Sequence, residues 1–177
     1  MDQVRGAIFS SLAERVVGAR VLDLFAGTGG LGIEALSRGA IRATFVERDR
    51  QAVECIRENL AKTRLAAGAE VVGVDVFTFC QRQRDRVPLP AYDLIFADPP
   101  YLTKEQPVDH ALRLLTDAGP SGLLAPDGIF VLEKTPLSPL GDALAGWQVI
   151  RQKRYGISEV VFLTRHTGTV EPTASPA

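Results

Sequence analysis

Cysteine, histidine and excess charge of either sign are all scarce in this chain. Its two cysteines, Cys55 and Cys80, show no CxxC spacing and have no histidine nearby. Neither a zinc site nor a disulfide framework is indicated, and both are expected as reduced thiols. Twenty Lys and Arg against 21 Asp and Glu leave a net charge of −1, which excludes a uniformly basic protein that coats nucleic acid. Phosphate binding needs only a patch, and two basic clusters exist: Arg82, Arg84 and Arg86, then Arg151, Lys153 and Arg154. Either can equally be a solvated face. No apolar run reaches ~18 residues and Met1-Asp2-Gln3 does not begin a signal peptide, so the cytoplasm is the expected location.

The chain has 177 residues, 46% hydrophobic and 23% charged, which suits one domain with a substantial core. Sixteen glycines and eleven prolines punctuate it without a repeat. Residues 2–14 have helical apolar spacing at Val4, Ala7, Ile8 and Leu12, with Asp2 as a possible cap. Strands are expected at 20–27, 43–48, 69–75, 91–98 and 128–134. Helices are expected between them at 30–40, 49–65, 76–83 and 105–118, with Pro126-Asp127-Gly128 as a turn. Two further strands, 146–156 and 157–165, read as a hairpin. Residues 166–177 have little to bury and read as a disordered tail after a domain spanning 1–165.

Alternating strands and helices demand a mostly parallel sheet covered on both faces. Ligands of such sheets sit beyond the carboxyl ends of the strands, where strand order reverses. Here the strand ends carry a glycine loop from Gly27, then Glu47, Asp75 and Asp98. Gly27, Gly29 and Gly32 form a GxGxxG turn between strand and helix, and glycines let backbone approach a ligand closely. Glu47, 20 residues past Gly27, can accept hydrogen bonds from both ribose hydroxyls of an adenosine. A nicotinamide dinucleotide fits these features equally well. Asp23, however, suits a cationic ammonium better than a pyrophosphate, and Asp75 can accept from the amine of adenine. Ribose, adenine and a cationic amino-acid tail together describe S-adenosylmethionine.

"VLDLFAGTGGLGIEALSRGA", "FVERD" and "DLIFADPPY" resemble the class I methyltransferases. With "DQVRGAIFSSL" upstream and "KRYGISEVVFL" downstream, they are similar more narrowly to the bacterial 16S rRNA guanine-N2 methyltransferases of the RsmD type. The resemblance implies an α/β Rossmann-like fold with a mostly parallel seven-stranded sheet, a C-terminal antiparallel hairpin and helices on both faces. It assigns S-adenosylmethionine to Asp23, Phe25, Ala26, Gly27, Thr28, Gly29, Gly32, Glu47, Arg48, Asp75, Val76 and Asp98. The reacting end falls to Asp98, Pro99, Pro100 and Tyr101, and RNA to Tyr101, Arg5 and Arg154. It further implies 16S rRNA or the small ribosomal subunit as partner; methyl transfer from this cofactor requires no metal, no apolar run suggests a membrane, and a monomer is the default expectation. Members of that family carry a short basic hairpin before the helix that begins here at Asp2. Without it, Arg5, Arg38 and Arg154 would carry more of the phosphate binding.

The DPPY segment has its own chemical logic. An exocyclic amine is a poor nucleophile because its lone pair is delocalised into the ring. Acceptors around its N–H groups favour pyramidalisation and fix the angle of attack. Asp98 and the Pro99 carbonyl are suited to this, since proline fixes φ and offers no competing N–H. Tyr101 offers a face for the base, worth about 1–3 kcal/mol in stacking. A base in a duplex would have to be flipped or already unpaired. Three other readings stay open: an adenine-N6 methyltransferase, an oxidoreductase, and a non-catalytic RNA-binding module with the same fold.

Overall fold

The computed structural model describes residues 2–86, 91–101, 108–116, 119–135 and 140–166. Helix α1 (Asp2–Leu12) leads through a 3-10 turn (Ala13–Val16) into β1 (Arg20–Leu24). Then follow α2 (Gly30–Ser37), β2 (Arg42–Glu47), α3 (Arg50–Thr63), β3 (Ala69–Gly73), α4 (Val76–Arg84) and β4 (Tyr92–Ala97). The chain continues through α5 (His110–Leu114), β5 (Leu124–Lys134), β6 (Trp147–Tyr155) and β7 (Ser158–Arg165). The strands form one sheet in the order β3-β2-β1-β4-β5-β7-β6, with β7 antiparallel to both its neighbours. Strand order reverses between β1 and β4, so a crevice for ligands is expected at their carboxyl ends.

Period-two alternation sorts the strand residues onto two cores. Val21, Ala43, Phe45, Leu94, Phe96, Ile129, Val131, Val160 and Phe162 join Ile8, Phe9, Leu36, Ile56 and Leu60 from α1, α2 and α3. Leu22, Leu24, Ile95, Ala97, Phe130, Leu132, Val161 and Leu163 join Val76, Phe77, Phe79, Ala111, Leu114 and Trp147 on the other side. The central strands are therefore buried on both faces and read as nearly continuous apolar runs.

Local chemistry fixes the helix ends. The Asp49 side chain accepts from the Ala52 N–H at 2.8 Å, and Val53, Ile56 and Leu60 then repeat along the buried stripe of α3. Asp75 caps α4 and Asp109 caps α5 in the same way. Helix α2 stops at Ser37, earlier than its sequence pattern suggests, and Gly39 turns the chain with φ +97°. Of the helix expected over 105–118, His110–Leu114 is observed, with Val108 and Asp109 ahead of it; 105–107 and 117–118 lie outside the described residues. Pro126-Asp127-Gly128, expected as a turn ahead of the fifth strand, lies inside β5 instead. It is absorbed within β5 as an irregularity, since register passes from Tyr92↔Leu124 to Leu94↔Ile129. Two of its carbonyls are bonded by side chains there: Arg15 donates to Asp127 O at 3.1 Å and Thr164 to Gly128 O at 3.2 Å. Residues 167–177 of the expected tail lie outside the described residues.

Candidate active site

The carboxyl ends of β1, β2, β4 and β5 bring four carboxylates to one face of the sheet. Asp23 follows Val21, Glu47 follows Phe45, Asp98 follows Phe96 and Glu133 follows Val131, each two residues after a side chain in the α1–α3 core. Asp75, at the end of the β3 segment, instead caps α4. Its Oδ1 accepts from the Phe77 and Thr78 N–H groups at 3.0 Å and from the Thr78 hydroxyl at 3.3 Å, and Oδ2 takes none of these bonds.

The loop after β1 is built on backbone that few side chains tolerate. Phe25, Gly27 and Gly29 have φ of +55°, +55° and +83°. A Cβ placed on Gly27 would meet nothing within 4 Å, so the turn presents bare backbone to open space, and Thr28 beside it is exposed. Glu47 ties this turn to β2. Its Oε2 accepts from the Gly27 N–H at 2.9 Å, and its Oε1 accepts from Arg48 N–H at 2.8 Å and Asp49 N–H at 2.9 Å. One lone pair of Oε2 remains for a ligand hydroxyl. Ala26 and Gly29 are buried beneath the turn, whereas Arg48 is exposed at its edge.

Gly32 sits differently from the other two glycines. A Cβ there would lie 2.3 Å from Phe45 Cε1, so its bareness serves close packing of α2 on β2. Its N–H donates to Asp23 Oδ2 at 2.8 Å. Asp23 is 2% exposed, and burial pushes its carboxyl up to about 8, opposed by the Gly32 bond. It therefore lies under the glycine turn, where a cationic group would meet a carboxyl already engaged by backbone.

Opposite, β4 ends in buried Ala97, half-buried Asp98, buried Pro99, exposed Pro100 and half-buried Tyr101. Burial and the neighbouring Glu133 charge push Asp98 up to about 7. The Tyr101 hydroxyl lies 2.6 Å from Ser158 Oγ and donates to Glu133 Oε1 at 3.4 Å, tethering the ring to β5 and β7. Behind it, the buried Lys134 ammonium pairs with Glu159 at 2.6 Å and donates to Thr135 O at 3.0 Å. Among the described residues no cluster could hold a metal ion, and none of the helices is long and apolar enough to cross a membrane.

Of the basic residues expected at RNA, Arg5 approaches the head of α2, where a Cβ on Gly30 would meet its Nη1 at 3.5 Å. Arg154 is exposed on the edge strand β6, its Nε donating to Gly156 O at 3.3 Å. Arg38 is placed away from the glycine turn. It lies at the far end of α2, about 12 Å from Gly30 at 1.5 Å per residue, paired with Glu34 at 2.7 Å and stacked over Phe9 at 5.0 Å. Glu133, Ser158 and the rings of Phe77 and His110, which gather round the expected Phe25 with centroids 5.6–6.2 Å apart, escaped that reading. Glu133 was findable, since it closes "GIFVLEK" as Asp98 closes "AYDLIFAD". Ser158 and His110 become neighbours of the site only through folding.

A family model described as "Conserved hypothetical protein 95" matches residues 1–164. The chain is 34% identical over 155 residues to the Escherichia coli "Ribosomal RNA small subunit methyltransferase D", covering 88% of this chain and 73% of that one. It is 35% identical over 159 residues to Bacillus subtilis YlbH, covering 90% and 83%. Among solved structures, Escherichia coli yhhF superposes with TM-score 0.74 at 31% identity, covering 93% and 85%. A conserved Streptococcus pyogenes protein gives TM-score 0.76 at 31% identity, covering 91% and 94%. A methyltransferase-type structure, SMU.776, solved with SAH, shares the fold at TM-score 0.74 but only 18% identity, covering 91% and 48%. With the class I methyltransferase fold and a match along nearly its whole length, this chain belongs to the RsmD-type family of S-adenosylmethionine-dependent rRNA methyltransferases.

Proposed function

We propose that this protein transfers a methyl group from S-adenosylmethionine to the exocyclic N2 of a guanine in 16S rRNA, on the assembling small ribosomal subunit. The observation that carries the reading is the placement of Asp98-Pro99-Pro100-Tyr101 at the crevice between β1 and β4, across from the open glycine turn that Glu47 secures.

The residues present fit the cofactor. The bare backbone at Gly27 leaves room where a side chain would intrude, Glu47 retains acceptor capacity for a ribose hydroxyl, and Asp75 Oδ2 faces no competing donor from α4. Phe25, Thr28, Arg48 and Val76 border the same crevice in this reading. When bound, S-adenosylmethionine supplies an electrophilic methyl group on a sulfonium, so no metal is needed for the chemistry.

The protein's own work is then to place and polarise the amine. Ionised Asp98 accepts one N–H and the Pro99 carbonyl the other, drawing the nitrogen lone pair out of conjugation and toward the methyl. After transfer the nitrogen carries an extra proton, and a carboxylate raised to about 7 is matched to take it at neutral pH. Tyr101, held at its hydroxyl by Ser158, presents its ring to the base. The β6 edge, where Gln148 through Arg154 are all exposed, ends on the same side of the sheet as Asp98. Arg154 with Arg151 and Lys153 there suits RNA phosphates flanking the target.

Incubation with labelled S-adenosylmethionine and unmodified small subunits, free 16S rRNA or DNA tests this. Label in the rRNA of the subunit is expected; label confined to DNA, or none in any polymer, would overturn it. Asp98→Ala should abolish transfer while leaving cofactor affinity within about twofold.

A further inference from the structure

Glu133 stands beside Asp98. In the parallel register Ala97 pairs with Leu132, so Asp98 and Glu133 are the next residues of the two strands, about 4.8 Å apart across the sheet. Both continue the rank of side chains facing α1–α3, that is Leu94 and Phe96 on β4, Ile129 and Val131 on β5. Lys134, the next residue, points to the other face and is paired there with Glu159 at 2.6 Å. Among the described residues Glu133 takes one hydrogen bond, from the Tyr101 hydroxyl at 3.4 Å. A half-buried carboxylate is thus held at the reacting end of the crevice with acceptor capacity to spare.

Two carboxylates side by side offer an acceptor–acceptor edge. The Watson–Crick edge of guanine offers the complement, with the N1–H donor adjacent to the N2 amine. Adenine places an N1 lone pair next to its amine, and a carboxylate there meets repulsion and an unpaired acceptor. Resting on the guanine reading above, we propose that Glu133 accepts the N1–H of the target base while Asp98 accepts from N2, so that Glu133 is the residue that selects guanine. The same proximity is felt by Asp98 itself, whose carboxyl Glu133 helps to raise. Tyr101, bonded to Glu133 and Ser158, links the selecting group to the ring that stacks on the base.

The test uses small subunits reconstituted with 16S rRNA bearing guanine or 2-aminopurine at the mapped target. 2-Aminopurine keeps the amine but has an acceptor at N1. Wild-type protein is expected to favour guanine in kcat/KM by at least about 100-fold, as for a site that loses a buried hydrogen bond. Glu133→Gln, whose amide can donate to N1, should lose about tenfold or more on guanine. Its guanine to 2-aminopurine ratio should shrink by a similar factor, with S-adenosylmethionine affinity within about twofold of wild type. Equal wild-type rates on both bases would overturn the assignment without any variant, and so would an unchanged ratio in Glu133→Gln. A wild type that methylates neither base overturns the proposed function and this assignment together, so the two failures are distinct.

Discussion

Gly32→Ala sets two effects of opposite sign against each other. Gly32 lies within α2, and at an ordinary helical position alanine would add about 1 kcal/mol of stability. Here the new methyl would lie 2.3 Å from Phe45 Cε1 and 2.7 Å from Cζ. Phe45 is fully buried on β2, a strand bonded to β1 and β3, so its ring has no free space into which to retreat. Overpacking of this kind costs about 1–3 kcal/mol. Displacing α2 also stretches the Gly32 N–H bond to buried Asp23 at 2.8 Å, worth roughly 1–3 kcal/mol when an acceptor is left unsatisfied. The penalties exceed the helix gain, for a net loss of about 3 kcal/mol. At ~2–4 °C per kcal/mol for a chain of this size, Tm should fall by about 6–12 °C in differential scanning calorimetry. Phe45→Leu, which removes the clashing ring atoms, should recover at least about 1 kcal/mol in a double-mutant cycle. A Tm unchanged or raised by Gly32→Ala alone would refute the packing role given to this glycine.

Other perturbations address the site directly. Glu47→Ala removes the acceptor for Gly27, Arg48 and Asp49, and S-adenosylmethionine affinity by calorimetry should drop at least tenfold; undiminished affinity would exclude the ribose contact. Because Asp98 must be ionised to accept and is raised to about 7, kcat/KM should climb as pH rises from 6 through 7 and level off near pH 8. Glu133→Gln removes a charge that holds this carboxyl up, so the midpoint should move to lower pH; a flat profile would count against Asp98 as acceptor. Arg154→Glu should raise KM for small subunits several-fold and reduce the salt dependence of binding by about one phosphate contact, with cofactor affinity unaffected.

Much of this arrangement is legible in the chain because the sheet is parallel and buried. Runs such as "DLIFAD" declare both the strand and its end, and the fold then gathers those ends at one edge. That rule singled out Glu47, Asp75 and Asp98, and applied consistently it would have singled out Glu133. It could not separate Gly27 from Gly32, because the difference is whether open space or the Phe45 ring lies where a Cβ would be. Nor could it tell that Arg38 is committed to Glu34 and Phe9 one helix length away, since charge alone does not say which end of a helix a ligand visits. The turn expected at Pro126-Asp127-Gly128 failed for a related reason. Side chains distant in sequence, Arg15 and Thr164, satisfy the carbonyls of that irregular stretch and let β5 run through it.

The central claim is tested most directly by digesting rRNA methylated by the wild-type protein and identifying the labelled nucleoside by chromatography and mass spectrometry. N2-methylguanosine at a single position of 16S rRNA, lost in Asp98→Ala, is the predicted result. Label in N6-methyladenosine, or transfer that persists without Asp98, would contradict it.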